Sequence, residues 1–494
     1  MENYMSKLPL MLVLIIFQFN FASAGDETIK IGMQLEPPNL NPTSGAAAAI
    51  DEVVYANVFE GLTRFKHDGS VVPALAKAWV ISSDEKKYTF ELNENIVFHD
   101  GSPMDTQDVK FSLDRARSED STNAQKALFE GITNIKILSP TKIEINLIEP
   151  NGNFITNLAW GDAVILSKDN IETAESNPIG TGPFKFYNWI KGDSVELKKN
   201  PNYWGRPARI ENVVFKFISD PTAAFAAMMA GDIDAFPVFP APENLSQFAA
   251  DPRFKVMVGS TEGETILSTN NNRPPFNNIL IRKALAHAIN RQEIIDGAMF
   301  GYGTPIGTHF APHNPNYIDL TSNSKYDPHL SKELLGKANY DITMPISLKL
   351  PPPSYARRGG EIVASQLRKV GFNIQITNLE WAQWLEQVFK GKDYNLTIVS
   401  HTEPADINIY ARPNYYFQYA DPHFQDLMRK LNLTAEPSKR TAILHAAQKL
   451  ISENYVNGYL FQLAKTGVAN VRIEGLWENS PTQANDLTEV RWLD

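Results

Sequence analysis

Polar and apolar residues alternate from Lys87 to Leu92, with Lys87, Thr89 and Glu91 on one side and Tyr88, Phe90 and Leu92 on the other. That period of two predicts a strand with one buried face. Ile143, Ile145 and Leu147 repeat it, as do Val213, Phe215 and Phe217, and Phe372, Ile374 and Ile376. The apolar run from Asn395 to Ser400 predicts a strand buried on both faces. Helical spacing lies between these runs. After the turn His99–Pro103, Asp105 is the expected N-cap of a helix, Asp108 adds an acid to its first turn, and Val109, Leu113 and Ala116 share a face. Further helices are expected from Ala46 to Phe59, ended by Gly61, from Thr222 to Ala230, closed by Gly231, and from Ile281 to Arg291. Two more faces are marked by Val363, Leu367 and Val370, and by Ile443, Ala446, Ala447, Leu450 and Ile451. Strands alternate with helices throughout, so the fold class is α/β.

At 494 residues the chain exceeds what one core supports, and two or three domains are expected. Its formal net charge of −10 argues against a nucleic-acid surface, which needs a basic face. Residues 1–24 read as an export signal: Lys7, an apolar run Leu8–Phe21, then Ala22-Ser23-Ala24. The run falls short of the ~20 apolar residues a spanning helix needs. The sequence has no cysteine, which removes disulfides, thiolate metal sites, cysteine nucleophiles and a lipid-modified N-terminal Cys. An exported protein without that anchor is expected free in a Gram-negative periplasm.

No catalytic pattern stands out: there is no HExxH, GxSxG or Walker sequence. The glycines of Gly180-Thr181-Gly182-Pro183 lack phosphate-loop spacing and read as a tight turn. His309 and His313 are four apart, but Pro312 spoils a helical metal pair. No metal site, cofactor or enzymatic activity is expected. The richest stretch for binding is Glu380 to Tyr419. A helix opens at Glu380-Trp381, a buried strand follows, and the loop after it carries His401, Glu403 and Asp406 ahead of Tyr410, Tyr415, Tyr416, Phe417 and Tyr419. Loops leaving a strand's C-terminal end are where open α/β sheets place ligands. Acids beside aromatics suit a ligand ammonium. The same residues also read as a packed aromatic core with capped loop acids.

Three strings carry a resemblance: Val71–Arg117, Gly180–Lys185 with Leu197–Trp204, and Gly231–Ala235. Together the chain resembles the family 5 extracellular solute-binding proteins, the dipeptide and oligopeptide receptors of bacterial ABC importers. The resemblance implies a two-lobed Venus-flytrap fold with an extra domain inserted in the first lobe. It would place lobe I in residues 25–60, 176–270 and 466–494, the inserted domain in 61–175 and lobe II in 271–465. It implies a monomer that captures a peptide-like solute between its lobes and delivers it to a membrane permease. Glu403 then matches the acid that meets a peptide's α-ammonium, Asp406 a second acid of the same loop, and Trp381 an aromatic of the pocket. Tyr415 and Tyr416 follow as candidate pocket aromatics. The carboxylate end departs from the pattern: Pro351-Pro352-Pro353-Ser354-Tyr355 stands where dipeptide receptors carry an arginine, and the nearest candidates are Arg357 and Arg358. Relatives also bind nickel chelates, opine-like conjugates and oligosaccharides, so a non-peptide solute is the alternative, with His401 the residue of interest for a metal chelate. An exported hydrolase is the remote one.

Overall fold

The computed structural model describes residues 27–45, 47–403, 406–412 and 414–493. The expected signal segment, 1–24, lies outside them. The alternation at 87–92 forms a strand, Lys87–Leu92, with Tyr88, Phe90 and Leu92 buried. It belongs to a four-stranded antiparallel sheet in the order Ala76–Ile81, Lys87–Leu92, Lys142–Leu147, Ile132–Ser139. The helix Thr106–Arg117 covers that sheet. Asp105 caps it by accepting from the Gln107 N–H at 2.6 Å, and Asp108 reaches back to the Asp105 N–H at 3.0 Å. Val109, Leu113 and Ala116 enter one core with Phe90, Ile143 and Ile145. The capping box thus satisfies backbone donors at the N-terminal end of the helix while its apolar stripe is buried.

A second sheet of 11 strands spans the rest of the molecule. At one end Thr28–Met33 pairs in parallel with Asn212–Phe217, over a core that includes Ile29, Phe215, Leu487 and Val490. At the other, Pro345–Leu350 pairs in parallel with Asn373–Asn378 and Leu396–His401, over a core that includes Leu285, Leu348, Val363 and Ile398. Two long strands, Phe254–Thr269 and Gly458–Asn470, run antiparallel from one core into the other. Met257 and Ala469 lie in the first core, Leu267 and Phe461 in the second. Midway their register shifts between Ser260 and Glu264, a bulge that bends the ladder.

Several elements differ from expectation. The first helix spans only Ala48–Val54, because Tyr55 turns extended and donates its hydroxyl to the Ala159 carbonyl at 2.8 Å. The helix expected over Ile281–Arg291 is two, Ile279–Ala288 and Arg291–Met299, the second capped by Asn290. In Pro437–Glu453 the buried stripe is Leu444, Ala447, Gln448 and Ile451, while Ala446 is exposed. Gln448 belongs there because its amide donates to the Asn316 carbonyl at 2.7 Å and accepts from the Ile318 N–H at 3.2 Å.

Candidate ligand-binding site

The bulge in the crossing strands floors a cavity of about 710 Å³. Thr261 Oγ1 holds the bulge, donating to the Leu463 carbonyl at 2.8 Å and accepting from the Gly263 N–H at 2.9 Å. One wall is the short helix at 48–54 and the turn at Trp160–Asp162; the facing wall has Met299, Tyr355 and Glu403. Among the described lining residues five are acids, Asp51, Glu52, Asp162, Glu262 and Glu403, and Lys465 is the only base.

Two of these acids are nearly enclosed. Asp162 is 8% exposed and Glu262 5%. Asp51 Oδ1 and Asp162 Oδ1 have no hydrogen-bond partner among the described residues. Burial, then the neighbouring Asp162 and Glu52, push the Asp51 carboxyl well above its ordinary value. Burial raises Asp162 to about 6. A Cβ on Gly161 would sit 2.1 Å from Asp51 Oδ1, so glycine is what lets the 160–162 turn close on that carboxylate. Lys465 is lowered to about 8 by burial, with Glu52 opposing the fall, and its Nζ donates to the Trp477 carbonyl at 2.8 Å.

Of the residues singled out in the sequence, Glu403 lines the cavity, exposed at the end of the strand Leu396–His401. Asp406 does not line it. Its carboxylate accepts from His309 Nε2 at 2.7 Å and stands 3.4 Å from His401 Nδ1. Burial alone would raise Asp406, but the two imidazoles beside it hold it well below the usual carboxylate range. His401 is turned inward, its Nε2 3.1 Å from the Tyr416 hydroxyl, and His309 Nδ1 lies 3.3 Å from the Tyr410 hydroxyl. The donor atoms of His309, His401 and Asp406 lie within 4.8 Å of one another, close enough to hold an ion. Every ring nitrogen there already has a protein partner. His309 and His313 do not act as a pair: His309 meets Asp406, 97 positions away, and His313 Nε2 lies 2.8 Å from Glu262 Oε1.

The aromatic run is core. Tyr416 is buried, and half-buried Tyr415 packs edge-on against Phe389 at 5.6 Å; neither lines the cavity. Trp381, 42% exposed, rests edge-on against Trp384 outside the cavity. Arg357 is held away by Glu380 Oε1 at 3.0 Å and the Leu379 carbonyl at 3.2 Å. Arg358 lies over the Phe300 ring at 5.2 Å. The segment expected as a loop through Tyr355 instead enters a helix at Ser354, and that helix, Ser354–Val370, presents Tyr355, whose hydroxyl accepts from the Ser400 N–H at 3.3 Å. Sequence reasoning missed Asp51, Asp162, Glu262 and Lys465. One signal was available: Glu262 and Glu264 lie in a polar stretch, 259–265, between the apolar segments Val256-Met257-Val258 and Ile266-Leu267 of one strand. The others come from segments that only the fold brings together.

The model of the bacterial extracellular solute-binding proteins, family 5 middle, matches residues 70–420. The chain is 25% identical over 474 residues to a dipeptide-binding protein of Escherichia coli K12, covering 87% of this chain and 88% of that one. It is 27% identical to a glutathione-binding protein of Salmonella paratyphi A, covering 76% of this chain and 73% of that one. The solved structure of HbpA2 from Haemophilus parasuis superposes with a TM-score of 0.85 at 23% identity, covering 94% of this chain and 99% of that one. The two-lobed fold is therefore shared.

Proposed function

Because the chain belongs to the bacterial extracellular solute-binding proteins of family 5, we propose that it is the periplasmic receptor of an ABC importer, capturing a peptide-like solute in the cavity between its lobes and passing it to a membrane permease. The observation that carries this reading is the position of the cavity. It sits on the bulge of the two crossing strands, with walls drawn from both ends of the large sheet. Its volume of about 710 Å³ lies in the ordinary range for small-molecule sites.

Glu403 offers a carboxylate on one wall for an α-ammonium. No group transfer is needed. A solute that touches both walls binds the closed arrangement better than the open one, and only that difference shifts the population. The closed form is what the permease would read. No helix among the described residues is long and apolar enough to cross a membrane.

A thermal-shift screen of short peptides tests the proposal. A binding peptide at a hundredfold excess over Kd adds ~2.7 kcal/mol of stability, roughly 2–3 °C for a chain of this size. Glu403→Gln, at an exposed position, should abolish most of the shift while leaving the unliganded melting temperature unchanged. Equal shifts in both proteins would contradict the assignment of Glu403.

A further inference from the structure

We infer that the cavity is built for a solute of net positive charge, whose ammonium or guanidinium groups are shared between two acidic walls. The inference rests on the reading of this cavity as the solute site. The described lining carries five acids against one base. That base is spent locally: Lys465 donates to the Trp477 carbonyl and is balanced by Glu52. Glu262 is also paired, its Oε1 2.8 Å from His313 Nε2. Three carboxylates remain, Asp51 and Asp162 on one wall and Glu403 on the other.

The pair on the first wall points to a ligand by itself. Asp162 is more than nine-tenths buried, yet its Oδ1 has no hydrogen-bond partner among the described residues, and Asp51 Oδ1 likewise has none there. The absence of a side chain at Gly161 lets the turn press against Asp51, bringing like groups together. Buried carboxylates held side by side without a cation cost stability. A positively charged nitrogen between them converts that cost into charge-assisted hydrogen bonds. Trp160 and Tyr355 also line the cavity, and aromatic faces attract the same cations. An anionic peptide gains little from this lining, and a neutral one engages it only through its single α-ammonium.

Two sources carry the chemistry, a lysine- or arginine-rich peptide and a free polyamine. Titration calorimetry of the full chain with trilysine, trialanine, triglutamate and spermidine separates them. Trilysine is expected to bind at least about tenfold more tightly than trialanine, and triglutamate not at all. Asp162→Asn should weaken trilysine by about tenfold or more, with folding checked by its melting curve. Glu403→Gln gives the same readout at an exposed position, where folding is not at stake. Trialanine or triglutamate binding as tightly as trilysine overturns the charge inference and leaves the peptide reading standing. Spermidine binding without any peptide binding supports the inference and overturns the peptide reading. Failure of both cations to bind, or undiminished trilysine affinity in both variants, overturns it.

Discussion

Asp406 and Glu403 sit three residues apart and do different things. Glu403 faces the cavity, whereas Asp406 is buried between His309 and His401. Removing one partner from a buried charged network costs ~3–5 kcal/mol, so Asp406→Asn should lower the melting temperature clearly, in contrast to Glu403→Gln. Equal melting temperatures for the two variants would contradict this division. Trp381→Ala and Arg358→Ala, both outside the cavity, should leave solute affinity within about twofold, because surface contacts of this kind contribute little. Asp162 gives a pH signature. Its folded pKa near 6 stands above the ordinary 3.8, so the native state binds this proton more tightly than the unfolded chain. The cost of ionising it is absent below about pH 4 and fully present above about pH 6. Asp162→Asn should therefore stabilise the unliganded protein by on the order of 2–3 kcal/mol at pH 7.5. The gain should shrink toward zero as the pH is lowered to 4 in parallel melting curves. A pH-independent difference would contradict a carboxyl at Asp162 raised by burial.

Strand alternation and capping were legible in the sequence because they are local. Tyr88, Phe90 and Leu92 point into their core as the period of two requires, and Asp105 caps its helix. Asp105→Ala should cost about 1 kcal/mol and Leu113→Ala about 2–5 kcal/mol, by denaturant melts. The reverse order would show that the cap, not the apolar stripe, holds this helix in place. Misread elements have non-local causes. The 437–453 stripe is rotated because a distant backbone, at Asn316 and Ile318, satisfies buried Gln448. The aromatic run 410–419 has the composition of a binding surface, but Tyr410, Tyr416 and Phe417 are fully enclosed. The acids of the site were not legible together, since they come from positions as far apart as 51 and 403.

Across the whole molecule, two strands join two cores, and the break in their ladder lies where the cavity opens. That arrangement couples solute contact to the relative placement of the lobes, because one small molecule can bond both walls only when they approach. The central claim is that a peptide-like solute occupies this cavity through Glu403. Native mass spectrometry of the protein purified without refolding from the cells that make it tests this. The account predicts bound increments matching short peptides, lost or strongly reduced in Glu403→Gln. A single increment of non-peptide mass, or peptide increments undiminished in that variant, would contradict it.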